Sequence, residues 1–177
     1  MKMKKLEINT QTGHKDKGST QMSLVIFSTI CSLVIIYFAV MPKNLNTLEL
    51  ALIMILVIYL DSNVMDIVML NLEGIKLSDN LTGIVTFYLT FLVLYPLVVA
   101  WNIDRLYSTH HKSVKIGLSL FTILLIAGLE NLTKIVNAVN YVNWNWQRDI
   151  IQWVTIWLIS FGGHLLFRKL VLKELKQ

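Results

Sequence analysis

The sequence predicts an all-α, polytopic membrane bundle of five hydrophobic helices, four or five of which cross the bilayer. Two observations carry this. Only 15% of the 177 residues are charged, where a soluble domain carries about a quarter. The apolar residues are also blocked: residues 23–41, 85–103, 117–129 and 150–166 contain no Asp, Glu, Lys or Arg. A crossing helix needs roughly 20 apolar residues, and the two shorter blocks reach that length with their polar flanks. A cleavable leader fits poorly, because the first block is long and no small-x-small site follows it. The lone cysteine, Cys31, makes neither an internal disulfide nor a metal site by itself.

Taken in order, residues 1–22 form a basic cytoplasmic tail with Lys2, Lys4, Lys5, Lys15 and Lys17 and little apolar periodicity. Residues 23–177 form a single transmembrane helical domain. Its first helix covers 23–41 and is stopped by Pro42. Asn46 with Glu49 three residues on has the form of a helix start. The segment from Thr47 to Lys76 is apolar but interrupted by Asp61, Ser62, Asn63 and Asp66. As a continuous helix it places Asp61 and Asp66 about 140° apart around the axis. Acids at membrane depth face a bundle interior or a watery cavity, which makes both candidate functional groups.

Ser78-Asp79-Asn80 precedes a third helix over 81–101, with a kink or loosened turn expected near Tyr95-Pro96. A basic loop follows, carrying Arg105, His110, His111 and Lys112. The fourth helix, 113–139, holds Glu130 and Lys134 in the favourable i, i+4 order, so an ion pair is expected there. Tyr141, Trp144 and Trp146 form an interfacial aromatic belt. Arg148-Asp149 starts the last helix, on which His164 and Arg168 share a face. His164 titrates near neutral pH when unperturbed.

Charge placement bears on topology. If residues 47–76 do not fully cross, the tail, the basic loop and the C-terminus lie on one side and carry twelve of the sixteen Lys and Arg. If all five helices cross, the bias disappears. The positive-inside rule thus favours an embedded, non-crossing 47–76 segment and cytoplasmic N- and C-termini.

Asp61 after an apolar run, Tyr95-Pro96 within a helix, Glu130 near a helix end, and Tyr141-x-x-Trp144-x-Trp146 before an aromatic last helix together resemble a family of small multi-pass membrane proteins. That family is common in spore-forming Bacillus- and Clostridium-type bacteria. Asn71-Leu72-Glu73 stands where the family carries an aromatic pair. The resemblance implies a bacterial plasma membrane and brings no activity, cofactor or catalytic residue.

No Gly-x-Ser-x-Gly, His-Glu-x-x-His, P-loop or Cys-x-x-Cys is present, so no catalytic set is complete. The favoured function is a non-catalytic bundle acting through helix–helix contact with a second copy or a membrane partner. The alternative is a small transporter or channel component using Asp61, Asp66 and Glu130, with Lys134 or Arg168 as counter-charge. An enzyme pairing Glu130 with His164 ranks third. No cofactor, metal or nucleic acid is expected; the expected surroundings are the lipid bilayer.

Overall fold

A computed structural model describes Met22, residues 24–142 and residues 144–174. The tail predicted over 1–22 lies outside the described residues apart from Met22. Among the described residues the chain forms an up-and-down bundle: α1 (Leu24–Val40), α2 (Thr47–Asn71), α3 (Leu81–Ser108), α4 (Lys112–Ile135) and α5 (Trp146–Glu174). The last four are long and apolar enough to cross a membrane, and α1 is a shorter apolar helix. The protein is therefore a multi-pass membrane protein built as a helical bundle.

The caps explain where the helices start. Asn46 Oδ1 accepts hydrogen bonds from the Leu48 and Glu49 amides, while Glu49 Oε2 accepts from the Asn46 amide, closing a capping box at the start of α2. Asn80 Oδ1 caps α3 by accepting from the Thr82 amide. Asn137 ends α4 in the left-handed region, at φ 56°, where asparagine is among the better-tolerated non-glycine residues. Within α3, residues Thr90–Leu94 form a π turn directly before Tyr95-Pro96. Pro96 has no amide to donate and its ring crowds the preceding turn, which accounts for the loosening expected there.

Helix α3 is the centre: 67% of its apolar window is buried, against 28% for α2, α4 and α5. Asn102 is fully buried and ties three helices together. Its Oδ1 accepts from Trp157 Nε1 of α5 at 2.8 Å, and its Nδ2 donates to the Leu118 carbonyl of α4 at 3.1 Å.

Two short strands were not anticipated. β1 (Ile75–Leu77) follows α2 and β2 (Val139–Tyr141) follows α4. They pair antiparallel, with Ile75 opposite Tyr141 and Leu77 opposite Val139. This ribbon joins the α2–α3 connection to the α4–α5 connection and marks one end of the bundle. At the other end, Asp104 Oδ1 accepts from the Asn44 and Leu45 amides at 2.7 and 2.9 Å, clamping the α1–α2 loop to α3.

Two expectations concern topology. Residues 47–71 form one continuous helix, α to Asp66 and π over Ile67–Asn71, long and apolar enough to cross a membrane. Asp61 and Asn63 do not break it, because Asp61 finds an interhelical partner and Asn63 Nδ2 donates back to the Tyr59 carbonyl. The second concerns the ends. α2 runs antiparallel to α5, with Glu49 near Arg168 and Asp61 bonded to Gln152. α5 runs parallel to α3, through Tyr95–Trp153, Asn102–Trp157 and Tyr107–His164. Cys31 packs beside the Leu89 carbonyl, and Tyr37 and Phe38 share a cavity with Trp101, so α1 also runs parallel to α3. Successive helices alternate in direction. The start of α1 and the end of α5 therefore lie at opposite ends of the bundle, not at a shared one.

Asp104→Ala removes the acceptor of two loop amides. It is expected to lower stability by about 2–4 kcal/mol, read as an earlier thermal unfolding transition in detergent. Asp104→Asn, which keeps one acceptor oxygen, should lose less.

Candidate functional site

At the ribbon end, three acids from three helices turn inward. Asp61 of α2 is 1% exposed, and its Oδ1 accepts from Gln152 Nε2 of α5 at 2.8 Å while Oδ2 has no hydrogen-bond partner among the described residues. Glu130 of α4 is 3% exposed, and the donor set against its carboxylate is the Trp153 indole of α5. Asp149, in the first turn of α5, accepts from Trp144 Nε1, with the Tyr141 hydroxyl beside it. Glu130 lies within electrostatic reach of both Asp149 and Asp61, and Trp153 of α5 sits beside it. The Tyr95 ring of α3 meets the Trp153 ring edge-on at 4.9 Å and walls the fourth side. Outside the helices, burial pushes the Tyr141 phenol well above the ordinary tyrosine range, with the Glu130 and Asp149 carboxylates adding to it.

The local sequence accounts for this convergence. Glu130 points inward because α4 buries Thr122, Ile123, Ile126, Glu130 and Thr133, a stripe of helical period. Lys134 is exposed one turn on; its ammonium lies 5.0 Å from the Tyr141 ring centroid. The Glu130–Lys134 ion pair expected from spacing is thus replaced by a cation–π contact, and Lys134 acts on Asp149 instead.

At the Asp104 end a second cluster forms. His164 of α5 is fully buried, and its Nε2 shares a 2.9 Å hydrogen bond with the Tyr107 hydroxyl of α3. Arg168 Nε lies 3.7 Å from Glu49 Oε1 of α2, and the guanidinium sits 4.6 Å from the Tyr107 ring centroid.

Of the residues singled out from the sequence, Asp61 and Glu130 are brought together. His164 and Arg168 form a separate site. Asp66 faces outward and is exposed, so it joins neither. Trp153, beside Glu130, and His164 are eleven residues apart on α5, about 16 Å along the axis, so Glu130 and His164 do not form a catalytic pair. Asp149, Gln152, Trp153, Tyr95 and Tyr107 are members that sequence reasoning did not assign to a site. For Gln152 a signal existed: an amide side chain among the large apolar residues that open the uncharged 150–166 block. Among the described residues no three of His, Cys, Asp and Glu are placed to hold a metal ion. Comparison with protein-family models, curated proteins and solved structures finds no match.

Gln152→Leu leaves Asp61 with no donor in a buried position and is expected to cost about 1–3 kcal/mol. The double variant Asp61→Leu, Gln152→Leu should recover most of that loss, because both polar partners are then replaced. Chemical unfolding in detergent of the two singles and the double measures the coupling.

Proposed function

We propose that this is a small ion-handling protein of a cell membrane, a transporter or channel component in which Glu130 takes up and releases a proton or a monovalent cation. The observation that carries this reading is the state of Glu130. It is almost wholly buried, its carboxylate has only the neutral Trp153 indole set against it as a donor among the described residues, and two further acids face it. An ionised carboxylate in that position is costly unless a positive charge joins it. Asp61 and Asp149 reinforce the demand for one. Trp153 and Tyr95 wall the site, and Asp66 has no part in it.

A second reading, association with another copy or a membrane partner, is favoured by α4. Gly117 and Gly128 are exposed there with nothing within 4 Å of an added Cβ, and small residues on an outer face allow close helix approach. The two readings are compatible, since a five-helix chain can complete a path by pairing. Within this proposal the membrane is a bacterial plasma membrane, as the family resemblance implies. The start of α1 and the end of α5 face opposite sides of it. The alternating helix directions support this, and they remove the charge asymmetry that favoured two cytoplasmic ends.

The test reconstitutes the full chain in proteoliposomes and follows proton entry with an internal pH dye, and sodium or potassium entry with isotope, under an imposed potential. Flux of one of these ions that falls more than about tenfold in Glu130→Gln supports the reading. Equal flux in wild type, Glu130→Gln and empty vesicles overturns it.

For topology, single cysteines at Ser19 or Gln177 in a Cys31→Ser background are labelled with an impermeant thiol reagent on intact cells. One end alone should react. Protection of both ends until permeabilisation would show an even number of crossings.

A further inference from the structure

We propose that the cargo is the proton, and that it travels along the seam between α2 and α5. His164 is the second proton-binding station on this route, and the Val57–Ile156 layer is its barrier. This rests on the ion-handling reading above and names its ion and its route.

Buried polar groups are rarely left without a partner. Here, among the described residues, such side-chain atoms are concentrated. Apart from Trp101 Nε1, they belong to Asp61 and the facing Glu130 and Trp153 side chains at the ribbon end, or to Ser160, His164 and Arg168 on α5. Gln152, Ile156, Ser160, His164 and Arg168 are spaced four apart, so they form one slowly winding stripe, about 6 Å per step. The Asp61–Gln152 bond sets the register of the antiparallel pair. Counted in fours from that bond along the two helices, Val57 comes level with Ile156, Ile53 with Ser160 and Glu49 with His164, and all six are buried. The seam is therefore polar at both ends. It is interrupted by one wholly apolar layer within the roughly 12 Å from Gln152 to Ser160.

His164 sits where a proton from the Asp104 end would be received. Glu49 faces it from α2, Tyr107 from α3 and Arg168 from its own helix. Its Nε2 is engaged with Tyr107, and its buried Nδ1 has no partner among the described residues. An imidazole gains and loses protons near neutral pH, whereas hard cations prefer oxygen ligands. A histidine station therefore suits a proton better than sodium or potassium. In the forward sense, a proton leaves a water at the Asp104 end for an imidazole nitrogen. It then passes to the Ser160 hydroxyl and, by way of water molecules that enter between Val57 and Ile156, to a carboxylate oxygen of Asp61 or Glu130. Each transfer breaks one bond to hydrogen and forms another, with no electron change.

The experiment is dye-reported proton entry into proteoliposomes holding the full chain, under a potassium–valinomycin potential. It compares wild type, Glu130→Gln, His164→Gln, Ser160→Val and Ile156→Ser. Each variant is first checked for a monodisperse elution profile and native helicity. Expected are losses of about tenfold or more in Glu130→Gln and His164→Gln, a smaller loss in Ser160→Val, and faster flux in Ile156→Ser, a gain that misfolding does not produce. If Ile156→Ser does not fold, His164→Gln and Ser160→Val decide alone. Wild-type rates in His164→Gln and Ser160→Val, with Glu130→Gln inactive, overturn the route and leave the ion-handling reading intact. Sodium or potassium flux without proton flux overturns the proton assignment alone. No flux of any ion in the wild type overturns both.

Discussion

Within a membrane the hydrophobic effect does not press helices together, since lipid tails are as apolar as leucine. The bundle depends instead on packing and on polar side chains that bond between helices. Asn102 is the clearest case. From the buried centre of α3 it holds an indole donor of α5 and a carbonyl of α4. Asp61–Gln152 and His164–Tyr107 extend the same device to α2–α5 and α3–α5. The register of the whole assembly follows from a handful of such bonds, because the apolar contacts around them tolerate sliding.

At its two ends the bundle is closed differently. The ribbon of β1 and β2 satisfies backbone groups in two loops at once and brings the ends of α2 and α4 close to the start of α5. The three buried acids sit beneath it. At the other end a single carboxylate, Asp104, replaces such a ribbon by accepting from two loop amides. Both closures spend polar groups on the backbone. Glu130 is different, since its carboxylate meets only the Trp153 indole among the described residues and ties down no backbone group. That contrast separates it from the structural acids.

Much of the architecture was legible in composition. Four long apolar helices, the capping box at Asn46 and Glu49, and the loosened turn before Pro96 all arise from local sequence, where propensity and missing amide donors act within a few residues. The continuity of α2 was not legible. Asp61 reads as an interruption until Gln152, ninety-one residues away, is seen to bond it. The positive-inside count treats that segment as an embedded element, and its bias disappears when α2 is counted as a crossing helix.

The site divides along the same line. By itself the sequence determined that Asp61, Glu130, His164 and Arg168 lie in apolar helices, because charge within an uncharged block is visible residue by residue. Only the tertiary structure decided which of them meet. It set Asp61 with Glu130 and Asp149, sent Lys134 to the Tyr141 ring, left Asp66 outside, and placed His164 with Tyr107 one polar cluster away. The reason is geometric: which faces of two helices oppose each other depends on their direction and register, and those are set by long-range bonds that no local window contains.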